Sequence, residues 1–518
     1  MLNDWLPLII LIVAFSTGIL MLVINEQSEK LRTSVNLTSA AINIVLIGIL
    51  LLGVSQGEVF ETRLPLLPDI NLVLKADALS LAFVTLSGVL WFFTTIYAIG
   101  YFKSGKHRSR FFGFFSLCVF STLGVALAGN LITFLIFYEL LTLATYPLIV
   151  HKGNDASLRS GKIYLRYTMI GGAILMVAVV WLKSIAGALD FSTADILINT
   201  PNIDATTITI IFMMLMIGLG VKAALFPLHG WLPRAMAAPA PVSSLLHAVA
   251  VVKAGAFGII RVVYDVYGID LASSLGVLQV LLVFAAFTII YGSVRAIYQD
   301  DIKKRLAYST VSQVSYITLG IALAGPIAAV GAIMHLVHQG LMKITMFFCA
   351  GLLAETHHIY KVSELNGIAK KMPITMTAFT IAVLGMIGIP PIAGFVSKWY
   401  LGVGAIETGN TWVILVLAGS SVLNAIYFLP LVYRAWFVAP DAGNHDSSHL
   451  KTQVPAIEKH DELHGHADSI VNAESHMADH PTLAKKSTLE ANWMMLLPPV
   501  VTITFAILAG LFANSQYS

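Results

Sequence analysis

Charge is scarce in this chain. Only 11% of its 518 residues are Asp, Glu, Lys or Arg, against about 25% in an ordinary soluble domain. Cysteine is scarcer still. Cys118 and Cys349 both lie inside apolar runs, and no CxxC pair occurs. Neither a disulfide framework nor an iron–sulfur ligand set is indicated. No glycine-rich dinucleotide fingerprint follows a strand pattern, and no flavin or haem motif is found. We expect no cofactor and no metal on this chain, and it does not carry electrons. The net charge of +3 gives no footprint for nucleic acid, because the basic residues gather in a few short loops. The opening MLNDWLPLIILIV lacks a basic leader and a small-residue cleavage site, so it reads as a retained membrane span.

What is abundant is apolar length. The hydrophobic fraction is 57% and the mean hydropathy +0.82. A bilayer core takes about 20 apolar residues per helix, and on that ruler the chain holds about fourteen spans. They begin near Leu6, Val35, Leu79, Phe112, Asn130, Ile163, Thr206, Val242, Ser274, Ser309, Ala328, Thr375, Trp412 and Trp493. The seventh is unusually long, with a second half around Leu228 to Ala237. The fold class expected is an all-α polytopic membrane protein in the lipid bilayer.

Loop charge sets the expected orientation. Lys103, Lys106, Arg108 and Arg110 follow the third span, and Lys152, Arg159 and Lys162 follow the fifth. Arg295, Lys303, Lys304 and Arg305 follow the ninth, and Lys361, Lys370 and Lys371 the eleventh. The alternate loops, such as YDVYGID and ETGN, have no basic residues. Positive charge stays inside, which places both termini on the outer side of a bacterial cytoplasmic membrane. Residues 441–491 are polar and carry His445, His449, His460, His464, His466, His476 and His480. With no cysteine and one H-x-H pair, this stretch reads as a solvated connection before the last span, not a metal site.

Against this background a few ionisable residues stand inside apolar spans. They are Glu139, Lys222, Lys253 and Lys398, with His335, His338 and Lys343 in a further span. A charge at the centre of a membrane helix costs roughly 2.5–3.5 kcal/mol on insertion scales. Several in one chain suggest a polar path for ions. Two of these spans are also interrupted: one through Phe226-Pro227-Leu228-His229, the other through Gly388-Ile389-Pro390-Pro391. Proline removes a backbone donor, and unpaired backbone at membrane depth survives only where protein or water satisfies it. Paired interruptions of this kind point to a transport site.

Four segments carry a resemblance: GVKAALFPLHGWLPRAMAAPAPVSSLLHAVAVVKAG, KKRLAYSTVSQVSYITLG, HLVHQGLMKITMFFCAG and GIPPIAGFVSKWY. In order and content they resemble the antiporter-like membrane subunits shared by multisubunit Mrp sodium/proton antiporters, respiratory complex I and membrane-bound hydrogenases. The resemblance covers the chain from about Leu79 to Val438. It implies fourteen helices and two inverted five-helix repeats, helices four to eight (residues 111–265) and nine to thirteen (266–440), after helices one to three (1–110) and before helix fourteen (492–518). Helices seven and twelve would be discontinuous. It further implies a proton relay through Glu139, Lys222, Lys253, His335, His338, Lys343 and Lys398. Partners would be other membrane subunits, protons and sodium. Length, and lysine rather than glutamate at position 398, resemble the D-type Mrp subunit best; a redox-driven pump subunit and a degenerate structural subunit are the alternatives.

The chemistry expected is a gate. Burial favours neutral lysine and a nearby carboxylate favours the ammonium, so Glu139 close to Lys222 would hold a proton that its withdrawal releases. Histidine suits the middle of a relay because its two nitrogens can pass a proton. His335 and Lys343 lie about 80° apart around a helix. Structural readings stay open: a buried pair at Lys222 and Glu139, interhelical hydrogen bonds for His335 and His338, packing for Lys253, Lys343 and His247. Lys162, Arg166 and Arg261 read as anchors near span ends, and Asp77 as a helix cap or a contact with a neighbouring subunit.

Overall fold

Apolar runs become helices wherever a polar residue can start them. The computed structural model describes residues 2–103, 105–191, 196–197, 204–440 and 490–512. Helices α1 (Leu2–Val23) and α2 (Glu29–Ser55) come first. After a β-hairpin follow α3 (Ala78–Tyr101), α4 (Arg108–Ala126), α5 (Leu131–Ile149), α6 (Asp155–Ala186) and α7 (Ala205–Lys222). Then come α8 (Trp231–Arg234), α9 (Ala240–Ala248), α10 (Val251–Arg261), α11 (Ile269–Ser274), α12 (Val277–Ile297) and α13 (Ile302–Ala322). The chain finishes with α14 (Pro326–His357), α15 (Pro373–Ile387), α16 (Ala393–Glu407), α17 (Trp412–Phe437) and α18 (Trp493–Leu511). Side chains of Asp77, Asn130, Asn154, Asp204, Asp301 and Asn492 each accept from a backbone N–H in the first turn of α3, α5, α6, α7, α13 and α18. These caps satisfy donors that a helix cannot pair internally.

Among the described residues twelve helices, with α9 and α10 taken as one, are long and apolar enough to cross a membrane by length and composition. Helix α13 and the broken pair α15–α16 complete the set of segments expected from the sequence. Helix α13 is less apolar, with Ser309, Thr310, Ser312, Gln313, Ser315 and Thr318 all buried. It is wrapped by neighbouring helices, so protein rather than lipid meets its polar side chains. The protein is an all-α polytopic membrane protein. The histidine-rich stretch lies outside the described residues, apart from 490 and 491.

Three features depart from the sequence reading. First, residues between the second and third spans form an antiparallel hairpin, β1 (Phe60–Leu67) with β2 (Ile70–Ala76), turning at Asp69, whose φ is +60°. FETRLPLL and INLVLKA are too short and apolar to stand out as strands. They are held because Lys75 N–H donates to Leu127 O (2.7 Å) and Gly129 N–H to Val73 O (2.8 Å) in the α4–α5 connection. Second, the eighth span is interrupted at Val249 and Ala250, between α9 and α10. No proline or glycine marks that place. The span also ends in a π-helical turn, Val262–Tyr267. Third, the second half of the seventh span is not one helix. It is a series of short turns, Leu228–Gly230, α8 and Ala235–Ala237.

Candidate functional site

Lys222 is the last residue of α7 and is 1% exposed. Its ammonium donates to Tyr138 O and sits 3.3 Å from the centre of the Tyr138 ring. The neighbouring residues close the end of α7. Tyr138 hydroxyl donates to Gly218 O (3.1 Å), and Trp231 Nε1 donates to Val221 O (2.7 Å). Both acceptors lie near the end of α7, and Val221 O also accepts from Ala224 N–H (3.2 Å). The cation at this terminus also meets the negative end of the helix dipole.

Glu139 follows Tyr138 on α5 and is half-buried. Its carboxylate packs against Gly172 of α6, where an added methyl would lie 2.7 Å from Cδ and from Oε2. Its Oε1 has no hydrogen-bond partner. Glu139 and Lys222 act on each other electrostatically, but no direct ion pair joins them among the described residues. The direct contact expected from the sequence is not present among the described residues. The reason is local: Lys222 is engaged by the Tyr138 backbone and ring, while Glu139 turns into the space left by Gly172.

Lys253 lies in the first turn of α10, fully buried, and donates to Leu336 O of α14 (2.7 Å). Gly255 lets α10 meet the end of α7, since a methyl there would lie 2.8 Å from Leu219 O. Lys343 of α14 is fully buried as well. It donates to Ser309 Oγ and to Leu306 O (3.3 Å) on α13. His335 Nδ1 is 2.9 Å from Ser397 Oγ of α16, and the imidazole lies against the Tyr316 ring at 5.2 Å. One residue on from Ser397, Lys398 donates to Met386 O (3.0 Å), Ile387 O (2.9 Å) and Ser421 Oγ (3.2 Å).

A rule runs through the set. All four lysines dock on backbone carbonyls, and none pairs directly with a carboxylate among the described residues. Lys398 follows it most fully, taking the carbonyls of Met386, which Asn424 Nδ2 also bonds (3.2 Å), and Ile387 at the end of α15.

The matched family description, NADH:quinone oxidoreductase/Mrp antiporter membrane region, covers residues 128–424 and so holds every one of these groups. The chain belongs to that family. Its antiporter-like relatives include the N-type NADH-quinone oxidoreductase subunit of Desulforudis audaxviator, 37% identical over 71% of this chain and 74% of that protein. Another is the D-type Na(+)/H(+) antiporter subunit of Bacillus subtilis, 27% identical over 84% of this chain and 87% of that protein. The chain spans between 39% and 50% of the length of some longer relatives. Among solved structures, the Mrp complex of Dietzia sp. DQ12-45-1b has a chain of the same fold, with TM-score 0.83 at 20% identity, covering 100% of this chain and 96% of that one.

In this antiporter-like protein the candidate residues fall into two clusters and some strays. Lys253 docks on α14 through Leu336 O, one residue on from His335, and Lys398 adjoins Ser397. His338 is buried with Nδ1 unpartnered, and His247 stacks on Phe347 at 4.6 Å with neither nitrogen partnered. Lys222 and Glu139 form the second cluster. His229 stays apart, between Phe226 (5.8 Å) and Tyr291 (5.0 Å). Among the described residues no group of three or more His, Cys, Asp or Glu could hold a metal.

Arg261 corrects an expectation. It is not an anchor at a lipid interface: it is 2% exposed and ion-paired with Asp77 (2.8 Å) and Asp265 (2.9 Å). It also donates to Ser80 Oγ (2.9 Å) and lies over the Phe191 and Phe257 rings. Asp77 therefore both caps α3 and binds Arg261. Burial pushes its carboxyl up, but the Arg261 charge and hydrogen bonds outweigh that and hold it below the usual range. Lys162 and Arg166 are exposed on α6, as anchors would be. The sequence reading missed Gln313, Gln339, Ser309, Ser397, Tyr316 and Gly172. Gln339 alone had a signal, its place midway between His335 and Lys343 in HLVHQGLMK.

Proposed function

We propose that this chain carries protons across a bacterial cytoplasmic membrane as one subunit of a multisubunit monovalent cation/proton antiporter. What supports the reading is the series of ionisable groups inside the helix bundle, buried at Lys222, Lys253, Lys343, His338 and His335 and half-buried at Glu139 and Lys398, with the lysines held by carbonyls instead of fixed counter-ions. A lysine locked in a buried ion pair would be a structural element, costly to disturb. A lysine held by carbonyls and hydroxyls can exchange its proton and keep its position. The two broken segments, α7 with its turns and α15–α16, each bring a lysine to a helix end, as corresponding elements of two inverted repeats would. The near end-to-end match to the Bacillus subtilis sodium/proton antiporter protein supports sodium as the exchanged ion and other membrane subunits as partners. Loop charge supports both termini on the outer side.

A second reading has its own observation. The 37% identity to an NADH-quinone oxidoreductase protein fits a proton pump powered by redox chemistry elsewhere in a complex. The experiment is sodium-driven acidification in vesicles holding the assembled complex. Lys222→Ala and Glu139→Ala each abolish it under the proposal. Unchanged exchange in both, with normal assembly, overturns the relay. Proton movement that follows electron donor and quinone but ignores sodium selects the second reading.

A further inference from the structure

We propose that Gln313 and Gln339 hold the water through which a proton passes between Lys343 and His335; this rests on the relay reading above. Helices α13 and α14 form an antiparallel hairpin joined by the short turn at Leu323–Gly325. Lys343 touches Leu306 and Ser309 on α13, and His335 lies against Tyr316 on the same helix. Those contacts fix which faces meet. On α14, His335, Gln339 and Lys343 are spaced by four residues and turn by only about 40° per step. On α13, Gln313 sits one turn beyond Ser309 on the same face. The two glutamines thus lie in the seam between the two ionisable groups.

The seam is about 12 Å long, eight residues at 1.5 Å each. A direct hydrogen bond spans about 2.7–3.0 Å, so Lys343 cannot hand a proton to His335 directly. Both glutamines are 0% exposed, and all four of their amide atoms lack a protein partner. Roughly 90% or more of buried polar groups in native proteins have a partner, protein or ordered water. Two neighbouring buried amides with nothing to bond, in line between two titratable groups, make a site for water: each water needs two to four polar partners. Here these are the two amides, the Lys343 ammonium, Ser309 Oγ and His335 Nε2, which also has no hydrogen-bond partner.

The step balances without any redox partner. The ammonium of Lys343 gives a proton to the first water, and the last water gives one to His335 Nε2. An N–H bond breaks at Lys343 and one forms at His335, and one positive charge has moved. Nδ1, bonded to Ser397 Oγ, is then the side that passes a proton on toward Lys398. The amides themselves keep their protons; they orient the water. Gln313 and Gln339 are positioning residues.

The test uses the assembled complex in vesicles. Gln313→Leu and Gln339→Leu remove amides that have no protein partner, so assembly and thermal stability stay at or above the unmodified level. Proton exchange falls by about tenfold or more, and Gln339→His, which can bond water, restores most of it. Leu variants that exchange protons at the unmodified rate overturn the proposal. So does a fall in exchange that merely follows a fall in stability. A structure of the complex at a resolution that places water decides the site independently: ordered water bonded to both amides supports it, and amides bonded only to protein across a dry seam overturn it. Should Lys222→Ala and Glu139→Ala both leave exchange intact with normal assembly, the relay reading fails on its own, and the water site is still settled by that structure.

Discussion

Lys398 reaches back across a break in its own span to bond the carbonyls of Met386 and Ile387, the last turn of α15. In the proposed relay, a residue that exchanges a proton would thus also close the helix on the far side of the break. Lys398→Met removes three hydrogen bonds and leaves the Ile387 carbonyl without this donor. The expected cost is about 1–3 kcal/mol, read as a lower unfolding midpoint of the solubilised protein. Transport falls in the same variant. Lys398→Arg keeps the donors and recovers stability more than transport, because guanidinium does not release its proton.

Gly172 decides whether Glu139 fits. A methyl at that position meets the carboxylate at 2.7 Å, well inside normal contact. Gly172→Ala forces the carboxylate out of its place beside α6. The carboxylate is the far end of a flexible side chain, so it turns away at little cost in stability. Sodium-dependent exchange should drop in Gly172→Ala nearly as far as in Glu139→Ala, and Gly172→Ala combined with Glu139→Ala should be no worse than Glu139→Ala alone. Additive losses would contradict a shared site.

Buried Arg261 is ion-paired with the partly exposed Asp77 and Asp265 and ties α3 to the end of the eighth span. Each hydrogen bond lost to a charged partner costs about 1.5–3 kcal/mol. Arg261→Met is expected to prevent stable assembly, measured by yield of folded protein. The milder Asp77→Asn leaves Arg261 paired with Asp265. The Asp77 carboxyl is held below its ordinary value, so its contribution is present above the unfolded value of about 3.9 and is lost as pH falls through the folded value. Asp77→Asn should therefore be less stable than the unmodified protein at pH 6 and converge with it below about pH 4.

His151 follows α5, between the rings of Phe102 (5.4 Å) and Phe111 (5.3 Å). Burial, with the positive charges of Arg110 and His107, pushes its imidazole down to about 4. The unfolded chain then binds a proton at His151 from about pH 6.5 downward while the folded chain does not. Stability should decline between about pH 6.5 and pH 4 on this account. His151→Phe removes that part of the decline, measurable as a flatter dependence of the unfolding midpoint on pH across the same window.

The parts legible in sequence were those where membrane physics punishes accident. Lys222 and Lys398 stood out because a charge in an apolar run is expensive and a proline break stood nearby. The spans stood out by length, and α13 did so despite its serines and threonines because its neighbours frame it. What stayed hidden depended on contacts between distant segments. Arg261 read as an anchor because its partner Asp77 is 184 residues away. The interruption at Val249–Ala250 has no proline or glycine to announce it, and the hairpin at 60–76 is held by bonds to distant residues, among them Val73 N–H to Thr133 Oγ1 (2.9 Å), Asn130 Nδ2 to Asn71 O (2.9 Å) and Arg63 to Asp190 (2.8 Å). Gln339 had the right spacing but no charge, and neutral amides in a span carry little weight until their partners can be counted.

One helix, α14, receives Lys253 on the carbonyl of Leu336, presents His335 to Ser397 and sends Lys343 to Ser309. Three proton-bearing groups thus moor α10, α16 and α13 to a single 32-residue rod. Any slide or tilt of that rod strains all three moorings in one movement. In the proposed relay, the steps at Lys253, His335 and Lys343 would then be coupled through the position of this one helix.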